Sequence, residues 1–317
     1  MVLEWEWYTI SSNIPISDVY KYPDEKWDRG GLSRNKDITI DLIHNLVLPN
    51  AISEWNWYFI SSNISISEVY KYSDEKWYRH GLSQNKDISI DLIHNLVLPN
   101  AIGEWDWYYI SIYTPISDLY KYPDKNWNRK WLSWNENITI HDIHNLVLPY
   151  AIPSWDWYYI SMSISISEVY KYPDEKWYRH GLSQNKGISI DLIYNLVLPN
   201  TTDDWSWYYI SQNISISEVY KYPDETWDRR GLSHNKNISI DLIHNLVLPN
   251  AIGEWDWFSI SENVSILDVY KYPDEIWDRR GLPYNKDLTI DDIYRLDKRM
   301  RYDYRRYTTS FSDIVII

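Results

Sequence analysis

The amino-acid sequence predicts an all-α protein, a tandem-repeat solenoid built from short helical hairpins. Three observations support this fold class: a strict 50-residue period repeated six times, a weaker repeat inside each unit, and helix-start chemistry at fixed places in every copy. We therefore expect the 317 residues to form one elongated repeat body instead of two ordinary domains.

The period is marked by a Trp-x-Trp pair that recurs without insertion or deletion. The first members of the six pairs are Trp5, Trp55, Trp105, Trp155, Trp205 and Trp255. We assign a repeat solenoid to residues 1–294, with units at about 1–50, 51–100, 101–150, 151–200, 201–250 and 251–294. Residues 295–317 then form a basic C-terminal cap and tail.

Each unit is itself predicted to be a diverged duplication. A second tryptophan series begins 22 residues after the first, and an Arg follows each member two residues later. The first half contains Trp5-x-Trp7 and Ser11-x-Asn13, and the second half contains Trp27-x-Arg29 and Ser33-x-Asn35. Both halves therefore fit one template, a helical hairpin that buries its apolar face on neighbouring hairpins.

The second helix of each first half is predicted from capping chemistry. Ser65 and Glu68 have the spacing of a capping box, and Ile64 with Val69 has that of a hydrophobic staple. The same capping pair recurs as Ser165/Glu168 and Ser215/Glu218.

Two further helices follow in each second half. One is expected to run from a cap at Asp24 through Trp27 to Asn35, with the Asn in the left-handed conformation. The other is expected over residues 40–48, with Thr39 as its cap and Pro49 beyond its end.

A six-bladed β-propeller is the alternative architecture. Fifty residues suit one blade, and Ile14-x-Ile16 or Ile38-x-Ile40 could be strand alternation. Four-stranded blades need several tight turns, whereas the chain has only 9 Gly. The repeated helix caps favour the solenoid.

Composition and charge limit the classes of function and partner. The chain is 44% hydrophobic and has a formal net charge of −14, so we expect a folded protein whose protein partner is basic and not acidic. The same charge disfavours nucleic acid and anionic membranes. The absence of cysteine and of a signal-like or membrane-spanning segment predicts an intracellular, cytoplasmic protein.

The repeat template resembles a viral repeat family. Trp-x-Trp-x-x-Ile/Leu-Ser-x-Asn, followed by Ile-Ser/Thr and a short apolar helix ending at Pro, resembles the tandem repeats of uncharacterised proteins from mimivirus-like giant viruses. The resemblance covers residues 1 to about 290. The commoner family form has Pro after the Asn, whereas this chain has Asn13-Ile14 and Asn35-Lys36. The resemblance implies a repeat scaffold made in an infected host cell and offers no catalytic residue to carry over.

No residue is predicted to be catalytic or to hold a cofactor or metal. His44 and its equivalents alternate with Tyr194 and Tyr294, so that position does not require an imidazole. His141 and His144 could share a metal only with a third ligand, and they occur once. The Asp24-Glu25 pairs are interpreted as helix caps, and near-equal repeats single out no carboxylate. Nucleophile, Walker and dinucleotide motifs are absent from the sequence.

Two features could bind a partner. The Trp and Arg residues two apart, such as Trp27 and Arg29, could form a ladder that stacks on sugars or peptides, although we favour a core role for most of these Trp. The slot of Gly30 varies among copies and is predicted to face solvent; its other occupants are His80, Lys130, His180, Arg230 and Arg280. Trp131 and Trp134 add two rings in the third repeat and mark a candidate hot spot.

The C-terminal segment is a candidate for self-association. It carries a basic cluster that includes Arg299, Arg301, Arg305 and Arg306. These cations could contact the acidic body of another copy. The sequence thus predicts a non-catalytic scaffold for protein–protein interaction, with two alternatives: a self-assembling structural protein, and a glycan-binding module that uses the Trp ladder.

Overall fold

The computed structural model of the chain describes residues 5–95, 97–151, 154–201 and 203–296. These residues are arranged in short helices that recur every 50 residues, as the sequence predicts. In the first three repeats the helices are α1 Trp7–Asn13, α2 Ile16–Lys21, α3 Arg29–Leu32, α4 Ile40–Asn45, α5 Trp57–Asn63, α6 Ile66–Lys71, α7 Arg79–Ser83, α8 Ile90–Asn95, α9 Trp107–Tyr113, α10 Ile116–Lys121, α11 Arg129–Leu132 and α12 Ile140–Asn145.

The last three repeats follow the same order. Their helices are α13 Trp157–Ser163, α14 Ile166–Lys171, α15 Arg179–Ser183, α16 Ile190–Asn195, α17 Trp207–Asn213, α18 Ile216–Lys221, α19 Arg229–Ser233, α20 Ile240–Asn245, α21 Trp257–Asn263 and α22 Ile266–Lys271. A 3-10 helix at Leu282–Tyr284 takes the place of a third helix in the sixth repeat, and residues 290–296 are helical.

The β-propeller alternative is wrong. The described residues contain no strand, and only isolated parallel bridges join residues 28 and 52, 78 and 102, and 228 and 252. The Ile-x-Ile segments that could have alternated in a strand lead into helices α2 and α4 and their equivalents.

The third helix of each repeat starts later than predicted. Asp24 does not cap α3, because the chain is not yet helical at Trp27. The Trp27 carbonyl accepts a hydrogen bond from the Ile52 N–H at 2.8 Å, and the helix begins only after it. Asp28 is the cap, and its side chain accepts a hydrogen bond from the Gly31 N–H. The Asn at the end of this segment is not left-handed, since the only non-glycine residue with positive φ in the described chain is Ser53.

The fourth helix ends at Asn45 and not at residue 48. The following residues turn extended because the Leu48 carbonyl accepts from both the Ala51 N–H and the Arg29 guanidinium. Its predicted cap is confirmed, since the Thr39 hydroxyl accepts from the Leu42 N–H.

The capping boxes of the second helices are not formed. Ser65 does accept from the Glu68 N–H at 3.4 Å, but the Glu68 carboxylate accepts instead from the Ile40 N–H of the preceding repeat at 2.7 Å. Glu168 and Glu218 bond to the preceding repeat in the same way, and Ser165 and Ser215 pair with nearby serine hydroxyls. Each of these carboxylates therefore joins two repeats.

Buried serines connect successive half-repeats and agree with an internal duplication. The Ser11 hydroxyl accepts from the Asp28 N–H at 2.9 Å, and Ser33 accepts from the Asn56 N–H of the next repeat at 2.9 Å. Each bond links one half-repeat to the half-repeat that follows. Asn35, which is also buried, donates to the carbonyls of Ser11 and Ile14. The bond from a main-chain N–H to a buried serine hydroxyl therefore occurs alternately within a repeat and between two repeats.

The sixth repeat contacts the first in the manner of any other pair of neighbours. The Ile290 N–H donates to Asp18 at 3.0 Å, as Ile40 donates to Glu68. Asp291 accepts from Tyr22 at 2.7 Å and forms an ion pair with Lys21 at 3.1 Å. The repeats therefore close into a ring, an outcome that the sequence left open.

The loops between the third and fourth helices approach each other across one repeat boundary. Lys186 of the fourth repeat and Glu136 of the third, which occupy equivalent positions, form an ion pair of 2.5 Å.

Candidate functional site

The variable slot lies on a belt of aromatic side chains formed by the first and third helices. His80 packs between Tyr58 of its own repeat and Tyr109 of the next, with ring centroids 5.6 and 5.7 Å apart. His180 repeats this arrangement with two tyrosines at 6.1 and 5.4 Å. The slot of the first repeat holds Gly30, and there Arg34, four residues later, lies over the Phe59 ring of the next repeat at 3.8 Å. The slot therefore spans the boundary between adjacent repeats.

The third repeat enlarges this belt into a cluster that we call the tryptophan patch: Lys130, Trp131, Trp134, Tyr108 and Tyr159. The Trp131 ring packs on Tyr108 with centroids 3.6 Å apart, and Trp134 packs on Tyr159 at 4.5 Å. Lys130 lies over the Trp131 ring at 5.7 Å. Both tryptophans are half-buried, so the structure brings the predicted hot-spot residues together on an accessible surface.

Acidic side chains lie beside two residues of the slot. His80 lies 3.5 Å from Asp106, and Arg280 pairs with Asp278 at 2.7 Å. The side-chain hydrogen bond from Arg280 lowers the pKa of Asp278. His80, Arg230 and Arg280 are exposed, whereas Lys130 and His180 are half-buried. The belt therefore presents aromatic surface with local charge pairs and not a simple basic stripe.

The Trp–Arg ladder is not an exposed binding surface. Trp27 and its equivalents through the fifth repeat are at most 1% exposed, and each contacts the second Trp of its pair edge to face, as Trp7 does at 5.6 Å. The indole N–H of Trp27 donates to the Tyr22 carbonyl. Arg29 donates to the carbonyls of Leu48 and Ala51. These residues hold the repeat together.

The Asp24-Glu25 pairs have a role that the sequence did not reveal. His44 lies 3.0 Å from Glu75 of the next repeat, and the Tyr194 hydroxyl donates to Glu225 at 2.6 Å. Histidine and tyrosine alternate at this position because both rings can reach and bond the same carboxylate. The helix-cap interpretation of these acids is therefore wrong, and Glu75 and Glu225 join adjacent repeats.

The other candidate residues fall outside any site. His144 pairs with Glu175 at 3.0 Å and His141 contacts Asn145, and the described residues contain no cluster of three groups able to hold a metal. Arg299, Arg301, Arg305 and Arg306 lie outside the described residues. No helix in the described part of the chain is long and apolar enough to cross a bilayer.

Comparison with known proteins adds no relative to this picture. No family model, no curated protein and no solved structure matches the chain.

Proposed function

We propose that this chain is a non-catalytic ring scaffold that binds a protein partner through the tryptophan patch. One observation carries the proposal: Trp131 occupies a position where the other five repeats have glycine. Added side-chain atoms are strongly disfavoured there, so a tryptophan needs an explanation outside the shared core.

The glycines show how little room this position offers. A Cβ at Gly31 would lie 2.3 Å from the Tyr8 carbonyl oxygen, and one at Gly231 would lie 2.3 Å from the equivalent oxygen. The first and third helices of the third repeat therefore cannot pack as closely as their equivalents do. Overpacking of this kind typically costs about 1–3 kcal/mol. Trp131 therefore loosens the packing between these two helices and places a large ring at the surface.

The composition of the patch favours a protein partner. Trp and Tyr with a nearby cation are the residues that dominate binding energy in protein interfaces. Their rings offer a large contact area and few rotatable bonds, so little entropy is lost on binding. The net charge of −14 repels nucleic-acid phosphates and favours a partner with a basic surface around its contact residues.

Three carboxylates with lowered pKa values have a structural task. The pKa values of Asp91, Asp241 and Asp291 are lowered, in each case first by a tyrosine hydroxyl of a neighbouring repeat. These three equivalent positions share one environment and join adjacent repeats, as expected of a scaffold. The setting we propose is the host cell that the viral resemblance implies.

The test is capture of partners from host-cell lysate with the tagged full chain and with Trp131→Gly. This variant restores the residue of the other repeats, so we expect unchanged or higher thermal stability together with loss of the partner. The control, His234→Gln, also replaces a ring of the belt with a residue that other repeats carry, two repeats away, and should retain the partner. A captured protein that binds Trp131→Gly as tightly as the wild type would contradict the assignment.

Capture also separates the alternative of self-assembly. If only further copies of the chain are recovered, the protein-scaffold proposal is wrong. Removal of residues 295–317 would then show whether Arg299, Arg301, Arg305 and Arg306 carry the contact.

A further inference from the structure

We infer that the ring contains a binding pocket for a neutral saccharide, a site that lies beside the tryptophan patch and shares Trp134 with it. The pocket is a cavity of about 700 Å³ between the third, fourth and fifth repeats. Its size is within the usual range of small-ligand sites. Lys186 and Glu136, from the loops between the third and fourth helices of two repeats, are in its lining.

Departures from the repeat template meet in this cavity. Trp134, Glu136 and Gly187 are each unique among the six copies at their positions, and Ser163 stands where four copies have Asn. All four line the same cavity although they come from two repeats. Together they give this cavity a lining that no other set of neighbouring repeats reproduces.

Gly187 creates part of that space. Its φ is not in the positive range, so the backbone does not require glycine. A Cβ at this position would lie 2.7 Å from Cγ1 of Ile166, another lining residue, and the other copies carry Asp or Asn here. The absence of a side chain at Gly187 thus leaves room inside the cavity.

The lining offers hydrogen-bonding groups that the fold does not use. Gln212 makes no hydrogen bond to any described residue, and Asn213 uses only its amide nitrogen, which donates to the Tyr209 carbonyl. Gln184 donates to the Tyr158 hydroxyl and keeps its amide oxygen free. Amides that both donate and accept suit the hydroxyl groups of a sugar, each of which also does both.

Aromatic rings complete the lining. Trp134 of the third repeat and Tyr209 of the fifth both line the cavity. Trp134 is held by its contact with Tyr159, with ring centroids 4.5 Å apart, so it is positioned before any ligand arrives. A rigid ring provides a flat apolar surface for the C–H face of a sugar.

The charge of the pocket excludes other ligand classes. Lys186 is the basic group of the lining and Glu136 is its acidic group, with 2.5 Å between their charged atoms. The lining therefore offers no net positive charge to an anion. An apolar ligand would cover the Gln184 amide oxygen and the Gln212 amide without giving either a hydrogen-bond partner, which is costly. A neutral ligand with several hydroxyl groups needs no cation and can form hydrogen bonds with these amides.

The test is saturation-transfer NMR of the full chain against a panel of neutral mono- and disaccharides built from glucose, galactose, mannose and N-acetylglucosamine. At least one should receive saturation, and its binding should shift tryptophan fluorescence. Trp134→Gln should weaken binding about tenfold through loss of the ring. Gly187→Asn should abolish binding, since it refills the cavity with the residue found in the fifth repeat.

Arg34→Gln is the matched control, because it makes the corresponding exchange at the equivalent position of the first repeat, which does not line the cavity. It should retain saccharide binding. Gly187→Asn lies outside the tryptophan patch and should retain the protein partner, so the two proposals can fail separately. Circular dichroism and thermal unfolding report whether each variant is folded. No saturation transfer to any sugar of the panel, or unchanged binding by Gly187→Asn, would overturn the inference.

Discussion

Closure of the ring can be tested with a single carboxylate. Asp18 accepts from the Ile290 N–H at 3.0 Å and so caps a helix that is 272 residues away in the sequence. Asp18→Ala removes this acceptor and leaves a helix N-terminal N–H without its partner. Loss of a side-chain cap typically costs about 1 kcal/mol. We expect a loss of that size in the free energy of unfolding, measured by urea titration with tryptophan fluorescence.

Two variants make the comparison quantitative. Glu68→Ala removes the same contact between the first two repeats, where the Ile40 N–H donates at 2.7 Å. Asp268→Ala removes an acid from the same position of the second helix, but Asp268 has no such bond to residue 240 in the described structure. A closed ring predicts that Asp18→Ala costs as much as Glu68→Ala and more than Asp268→Ala.

Hydrogen exchange at individual amides localises the effect. Asp18→Ala should speed exchange of the Ile290 amide, and Glu68→Ala should speed exchange of the Ile40 amide. In an open solenoid the first and last repeats would not touch. A cost for Asp18→Ala no greater than that for Asp268→Ala, with unchanged exchange at Ile290, would refute closure.

Three further perturbations test the repeat frame. Gly231→Ala should destabilise the chain by about 1–3 kcal/mol in urea unfolding, because its Cβ would lie 2.3 Å from a main-chain oxygen; Gly30→Ala, whose nearest contact is a side chain at 3.0 Å, should be nearly silent. Ser211→Ala should cost about 1–3 kcal/mol, because its buried hydroxyl accepts a main-chain N–H at 2.9 Å; an unchanged unfolding midpoint would show that this bond is dispensable. The hydrogen bond to Glu225 raises the pKa of Tyr194 to about 12 from 10.0. Its contribution to the free energy of unfolding is therefore complete below pH 10 and is lost as pH rises through 12. Tyr194→Phe should flatten the alkaline part of the curve of stability against pH, and an unchanged alkaline slope would contradict the assignment.

The sequence predicted the helices better than their partners. The caps at Thr39 and its equivalents are local, so a short pattern was enough to find them. Glu68 has the spacing of a capping-box residue, yet it caps a helix 28 residues earlier in the chain. Sequence spacing within one helix cannot distinguish these two targets, because each offers an unpaired main-chain N–H.

The same limit explains the misassigned acids. Asp24 and Glu25 precede a predicted helix, a position that is typical of helix caps. The helix starts at Arg29, and Glu25 instead accepts from the Tyr294 hydroxyl of the sixth repeat. The alternation of His and Tyr at that position was a usable signal, since the two side chains share a ring and a hydrogen-bonding tip. It could have indicated a common acceptor, although not which one.

Closure itself depends on geometry that no local pattern encodes. Six identical repeats form a ring only if each turns the chain by one sixth of a circle, and a small change in that rotation would give an open superhelix. The contacts of Lys21 and Tyr22 with Asp291 show that the rotation is met. In sequence these residues look like any other copy of the template, so nothing marks them as the seam.

A closed ring of near-equal repeats separates stability from recognition. Most interfaces repeat the same bonds, so the frame tolerates a repeat that departs from the template, as the third does at Trp131 and Trp134. Those departures, with Gly187 in the next repeat, create features that occur once in a ring of six similar units. A ligand or partner that recognises them would therefore bind one ring once. Binding at the template positions would instead give several equivalent sites, so the unique residues are where we place the function.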